Sequence, residues 1–220
     1  MSRHLVWLAG RGVSMSCGLD WDVPPALEAA RHAGEISRAA LGERIASALE
    51  RAQDDAAIDC RPIDAMLERI RGPSGWRHAF VTTNWDALLD RALERHGFEP
   101  PLHLNGSVAA RNLLLEDDGE SAREAVPQVR EGLRRLAQAE LVVVAGLSLA
   151  SRLDKALVAR LAGKHGGRWL VVNHDAGEVR RCCAALEQRL PGCTVQAVAL
   201  PFDRWVAAGL PGLNIAPAEA

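Results

Sequence analysis

Thr82, Thr83, Asn84 and Asp86 lie where a short apolar run stops and a helical pattern begins. An amide and a carboxylate at a strand-to-helix junction are groups an α/β protein presents to a ligand, because ligands of open parallel sheets bind outside the carboxyl ends of the strands. The same residues also read as a turn former, Asn84, and a helix N-cap, Asp86. Two further junctions are of the same kind. Gly10-Arg11-Gly12-Val13-Ser14 follows an apolar run, and its glycines and hydroxyl suit close approach to a phosphate. It lacks the third glycine of the usual dinucleotide fingerprint, so an ordinary tight turn is the competing reading. Gly146-Leu147-Ser148 ends a third run, with Ser148 either capping a helix or meeting a ribose or phosphate oxygen. Asn173 and Asp175 end a fourth, where an amide or carboxylate reaches hydroxyls or simply caps the next helix. His103 and Asn105 are two residues apart, so on a strand they share a face and point together into the crevice. A lone histidine is nonetheless more often a structural hydrogen-bonder than a catalyst.

The elements that must hold these groups follow from periodicity. Apolar runs at His4–Leu8, Ala79–Thr83, Leu102–Leu104, Glu140–Ala145, Arg168–Val172 and Thr194–Leu200 read as six strands. Leu141–Val144 is continuously apolar, as expected of a strand covered on both faces. Helical spacing marks Ile36–Gln53, Ile63–Ile70, Asp86–His96, Ser121–Ala139, Ser151–Ala162, Gly177–Leu190 and Phe202–Ala208, with Pro127 as a kink or as the true start of its helix. Gly10–Gly18, Gly72–Gly75 and Arg111–Gly119 read as turn or loop. Strands alternating with helices predict an α/β fold, a parallel six-stranded sheet with helices on both faces. The expected organisation is a single domain over 1–209, with a helical insertion at about 24–75 and a flexible tail at 210–220.

Bulk properties narrow the class. The chain has 220 residues, 48% of them hydrophobic and 25% charged, with a formal net charge of −2. That balance predicts no direct nucleic-acid partner and no membrane partner. No apolar run is long enough to span a bilayer, and Met1–Leu8 does not read as a signal peptide. The five cysteines, Cys17, Cys60, Cys182, Cys183 and Cys193, include no CxxC pair. Neither a metal site nor a disulfide framework is therefore expected, and reduced thiols in a cytoplasm are the simplest reading.

In order along the chain, Gly10-Arg11-Gly12-Val13-Ser14, Thr82-Thr83-Asn84-Trp85-Asp86-Ala87-Leu88-Leu89-Asp90, Asn105-Gly106-Ser107 and Gly146-Leu147-Ser148-Leu149 resemble the sirtuin-like family, in particular its divergent bacterial branch without a zinc module. The likeness runs from about residue 4 to 175. It implies the Rossmann-like sheet of sirtuins (the DHS type) and NAD or ADP-ribose as the ligand. It places Gly10, Gly12 and Ser14 at the phosphates, Asn84 and Asp86 at the nicotinamide ribose and the attacking water, and Gly146, Ser148 and Asn173 at the adenosine half; Arg11, in the same loop, either adds a phosphate contact or fills the nicotinamide end. It also implies cleavage of the nicotinamide–ribose bond, as an NAD hydrolase rather than a protein deacylase, and a role in antiphage defence with a partner protein or a second copy of the chain. Asn105 stands where the family has its catalytic histidine, with His103 two residues away as a substitute. Arg11 stands where the family has alanine. Those departures support a second reading, a catalytically degenerate sensor or assembly module that binds NAD or ADP-ribose. A third reading retains the sheet without the site, and a crevice plugged by Arg11 or Trp85 would indicate it.

Overall fold

Alternate residues of the central strands feed opposite faces of one sheet. On β1 (Arg3–Ala9), Leu5, Trp7 and Ala9 enter one core while Val6 and Leu8 enter the other. β4 (Leu141–Ala145) and β5 (Arg168–Asn173) divide the same way: Leu141, Val143, Leu170 and Val172 on the first side, Val142, Val144, Trp169 and Val171 on the second. A strand buried on both faces requires helices on both, and this period-2 division is its signature. The computed structural model describes residues 3–72, 75–115, 118, 122–123, 126–148, 151–161 and 167–215.

Six parallel strands pair in the order β3-β2-β1-β4-β5-β6, with β2 at Trp76–Thr82, β3 at Leu102–His103 and β6 at Thr194–Ala199. The order reverses between β1 and β4, and the crevice at such a switch point lies beyond the carboxyl ends of those two strands. Ala9 pairs with both Thr82 and Ala145, so three strands end in register there.

Four helices separate β1 from β2: α1 (Arg11–Ser16), α2 (Pro25–His32), α3 (Arg38–Gln53) and α4 (Arg61–Ile70). α3 starts on a Ser37 cap that accepts from Ala40 N, and it buries Leu41, Ile45, Ala46 and Leu49. α2 has no fully buried residue and touches the core only through partly buried positions such as Leu27. The other helices among the described residues include α5 (Leu88–Arg95), α6 (Pro127–Gln138), α7 (Arg152–Arg160), α8 (Ala176–Arg189) and α9 (Phe202–Ala207).

Local chemistry accounts for the departures from the sequence reading. Residues 11–16 of the glycine-rich turn wind into a short helix. Pro127 is the first residue of α6, where its missing N–H costs nothing. β3 is only two residues long, ending before Leu104. Beyond Gly209, where fraying was expected, Leu210 is buried, the Pro211 carbonyl accepts from Trp205 Nε1 at 2.9 Å, and Leu213 and Ile215 pack on the core. Pro73 and Ser74 of the predicted turn, Glu116, Asp117 and Gly119 of the predicted loop, Ser121, Glu124 and Ala125 of the predicted helix, and Leu149 and Ala162 fall outside the described residues.

His78 on β2 is packed beside Trp7, whose Nε1 donates to its Nδ1 at 3.1 Å. Burial holds its pKa down at about 4. The folded protein therefore keeps His78 neutral while the unfolded chain takes up a proton below about 6.5. Stability is fully present above the unfolded value and declines as pH falls from about 6.5 to 4. Denaturant titrations should show about 2 kcal/mol lost over that window from this residue, after allowance for solvent screening, and His78→Gln should flatten that limb.

Candidate functional site

The ends of β1 and β2 are tied together by their own side chains. Thr82 Oγ1 donates to the Ala9 carbonyl at 3.1 Å and accepts from Asn84 N at 3.0 Å. That turn aims Asn84 back across β1. Its Nδ2 donates to the Gly10 carbonyl at 3.1 Å and to Ser14 Oγ at 2.9 Å. The Ser14 hydroxyl donates in turn to Asp86 Oδ2 at 2.8 Å, and Asp86 Oδ1 accepts from Leu88 N at 3.1 Å. Asn84, Ser14 and Asp86, from two loops 70 residues apart in sequence, thus form one hydrogen-bond chain. Asp86 is not the N-cap residue of α5, which begins at Leu88 with Ala87 at that position, but its side chain takes up the helix's first N–H. Asp86 is 6% exposed, and burial raises its pKa against the opposing effect of the Ser14 and Leu88 hydrogen bonds.

This chain forms part of the wall of a cleft of about 490 Å³, also lined by Arg11, Trp21, Thr83, Trp85, Asn105, Ser148 and Asp154. The cleft is open, and Arg11 does not plug it. Its guanidinium is turned to Asp22 (2.6 and 2.9 Å) and Asp20 (2.8 Å), half-exposed at the mouth. Burial lowers the Arg11 pKa, but the two carboxylates outweigh it and the net shift is upward. Both aspartates lie in the segment between α1 and α2, so Arg11 fastens that segment beside the cleft.

The glycines of the two phosphate-type loops meet each other. Gly10 N donates to Ala145 O at 2.8 Å and Gly12 N to Gly146 O at 2.9 Å. A Cβ on Gly12 would lie 2.7 Å from Gly146 Cα, so close backbone packing explains both glycines. The Gly12 amide is consequently already engaged. Beyond this contact a second cavity, of about 270 Å³, is lined by Gly12, Met15, Gly146, Asn173, His174 and Asp203. Asn173 Nδ2 bridges Leu147 O and Glu178 Oε2, both at 3.0 Å.

His103 and Asn105 part company because β3 ends between them. Asn105 lines the cleft, with Nδ2 donating to Thr83 O at 3.0 Å. His103 is 4% exposed and lies behind the Asn84 turn, Nδ1 against the Asn84 carbonyl at 2.9 Å and Nε2 against both Asp90 carboxylate oxygens at 3.1 Å. Both partners are acceptors, an arrangement that favours the doubly protonated ring. Burial disfavours that charge, yet Asp90 and the Asn84 carbonyl raise the pKa overall.

Several groups escaped the sequence reading. Gln53, at the end of α3, accepts from Ala87 N at 2.8 Å and joins the insertion to the Asn84 turn. Gln128 accepts from His103 N at 2.7 Å. Asp90, Asp20 and Asp22 carried no local signal, since their partners are set by the fold. The Asp175–Glu178 pair did have one: an acidic cap followed three residues later by glutamate is a capping-box pattern, and Asp175 Oδ1 accepts from Glu178 N at 2.7 Å. Among the described residues no group of three or more His, Cys, Asp or Glu is placed to hold a metal ion, and no helix is long and apolar enough to cross a membrane.

No protein-family model matches the sequence, and a search of curated proteins finds no relative. Solved structures do match. A Sir2 structure with a deacetylated p53 peptide and 3′-O-acetyl ADP-ribose is 15% identical, covers 98% of this chain and 95% of its own, and has a TM-score of 0.57. A Sir2–p53 peptide–NAD⁺ structure is 16% identical, with coverages of 94% and 92% and a TM-score of 0.51. A structure described for the mechanism and regulation of Sir2 enzymes is 14% identical, with coverages of 94% and 91% and a TM-score of 0.59. The chain has the sirtuin fold.

Proposed function

We propose that this chain, built on the sirtuin fold, binds NAD at the β1–β4 switch point and hydrolyses its nicotinamide–ribose bond. The observation that carries the reading is the Asn84–Ser14–Asp86 chain, held between two loops at the wall of an open polar cleft. The residues fit a dinucleotide. The larger cleft suits the nicotinamide ribose, the 270 Å³ cavity beside Asn173 suits the adenosine half, and the Gly12–Gly146 contact lies between them. With the Gly12 amide engaged, contact to the phosphates falls to side chains that line the cleft, Ser148 and Arg11, the latter exchanging its pairing with Asp20 and Asp22 for the phosphate. Similar solved structures described as complexes with NAD⁺ and with 3′-O-acetyl ADP-ribose support the same ligand class.

NAD supplies a glycosidic bond whose breaking releases nicotinamide and leaves positive charge on the ribose. Asp86 is suited to meet that charge. Its buried carboxylate is disfavoured in the free protein, so a cation developing nearby stabilises it more in the transition state than in the ground state. Asn84 and Ser14 fix its orientation. His103, with both nitrogens committed, acts as a positioning residue that holds the Asn84 turn through the backbone. The Thr82–Asp90 resemblance supports a bacterial defence system with a partner protein or second copy, and the unpaired cysteine pattern supports a cytoplasmic setting.

Incubating pure protein with NAD and following free nicotinamide tests the enzyme; calorimetry with NAD and ADP-ribose tests binding. Product above buffer with saturable binding is expected. Binding of neither ligand would remove both this reading and the next.

Asn105 favours a second reading, a sensor that binds without turnover. An amide cannot serve as a general base near neutral pH. In that case Asn105→His, introduced at a position already lining the cleft, should raise nicotinamide release at least about tenfold, since a positioned base contributes 10²–10⁴-fold. An unchanged rate in a folded, NAD-binding variant would show that Asn105 is not what limits turnover.

A further inference from the structure

Cys17 and Cys60 are 43 residues apart in sequence and adjacent in space, and the proposed chemistry uses neither. Cys17 caps the carboxyl end of α1, the helix that carries Ser14, and is 1% exposed. Cys60 is the N-cap residue of α4, is half-buried and packs on the same core cluster. The backbone brings the two segments together: Asp59 N donates to the Cys17 carbonyl at 2.8 Å, and a Cβ on Gly18 would lie 3.4 Å from the Ala57 carbonyl. The two thiols are close enough for each to act on the other's ionisation. Cys60 sits at the positive end of a ten-residue helix, and Arg95, whose Nη2 donates to both carboxylate oxygens of Asp64 in the first turn (2.8 and 3.0 Å), favours the Cys60 thiolate against the opposing charge of Asp64.

We infer that Cys60 and Cys17 are a peroxide-oxidisable pair, Cys60 the attacking thiol and Cys17 the resolving one, whose reversible disulfide ties the Ser14 helix to α4. The direction of the thiol equilibria agrees. The contact with Cys17, aided by Arg95, pulls the Cys60 pKa below the ordinary thiol value despite burial, while the same contact and burial push Cys17 up. Thiolate character governs which cysteine reacts. The other three do not share this setting: burial drives Cys182 up to about 12 and also raises Cys183 and Cys193.

The chemistry balances with hydrogen peroxide as the oxidant. The Cys60 thiolate attacks one peroxide oxygen; an S–O bond forms, the O–O bond breaks, and the departing hydroxide takes a proton to leave as water. Cys17 sulfur then attacks Cys60 sulfur, an S–S bond forms, the S–O bond breaks, and hydroxide leaves with the Cys17 proton as a second water. Two thiols and one peroxide become one disulfide and two waters. A dithiol reductant reverses it by thiol–disulfide exchange.

The test needs no NAD, so it stands apart from the proposed function. Purified protein is treated with a small excess of hydrogen peroxide, remaining thiols are alkylated, and peptides are mapped without reduction. The expected result is a Cys17–Cys60 cross-link within one chain, removed by dithiothreitol and absent in both Cys60→Ser and Cys17→Ala. In Cys17→Ala, Cys60 should be trapped as sulfenic acid. Amide exchange across Gly12–Leu19 should slow at least tenfold on oxidation. A cross-link through Cys182, Cys183 or Cys193, disulfides only between chains, or unaltered exchange in the cross-linked protein would overturn the inference.

Discussion

Asn84→Ala is expected to lower nicotinamide release by at least about a hundredfold while the protein still folds. One side chain makes two of the bonds that join the β1 and β2 loops, to Gly10 O and to Ser14 Oγ. Removing it frees Ser14, and with Ser14 the orientation of Asp86, so the group proposed to meet the developing charge loses its setting. Loss of one aligned electrostatic group costs about 10²–10³ in rate. The stability cost is smaller, about 1–2 kcal/mol for the polar partners left behind. The effect should fall on kcat more than on KM, because the interaction is made chiefly in the transition state. Asn84→Asp is the informative companion. It retains the shape but deletes both donors and sets a second carboxylate beside buried Asp86, so it should be equally inactive. Turnover of NAD within threefold of wild type by Asn84→Ala would remove the site assignment.

Gly146→Ala is expected to destabilise the protein by about 3 kcal/mol, lowering the melting temperature by roughly 5–15 °C. Two effects add. Gly146 has φ +68°, in the left-handed region where a Cβ costs about 1–2 kcal/mol. The new Cβ would also lie 2.7 Å from Gly12 Cα and from Val13 N, backbone atoms that no rotamer change can move. Relieving that clash means parting the β1 and β4 loops, an overpacking cost of about 1–3 kcal/mol. Gly34→Ala separates the contributions: its φ is +74°, with nothing within 4 Å of the added carbon. It should therefore show the backbone cost alone. Urea unfolding of both variants decides the matter, and equal losses would mean that the loop contact is softer than its geometry indicates.

The sheet and its strand-end junctions were legible because they rest on local pattern. Leu141–Val144 announces a strand covered on both sides, and alternation on β1 assigns each residue to its layer. Asn84, Ser14 and Asp86 could be nominated because each follows a strand. Their connection could not, since a 2.9 Å bond between residues 70 apart depends on β1 and β2 being neighbours in register. Asp86 as the N-cap residue was equally consistent with the sequence, and only the start of α5 at Leu88 gave that position to Ala87. His103 and Asn105 were paired by a strand rule that lapses where β3 stops.

Arg11 makes the same distinction at the cleft. Its position in the glycine loop was visible, but whether it would meet a phosphate, fill the crevice or turn away depended on Asp20 and Asp22, which the chain brings back after one short helix. The glycines illustrate it too: Gly10 and Gly12 suited a phosphate, yet their amides face Ala145 and Gly146, from a strand more than 130 residues later. By itself the sequence determined which residues end strands, which faces are apolar and which groups are chemically able to bind a nucleotide. Only the tertiary structure decided which of those groups touch, because hydrogen bonds and ion pairs act over about 3 Å while sequence pattern reports a residue's own face and its neighbours along the chain.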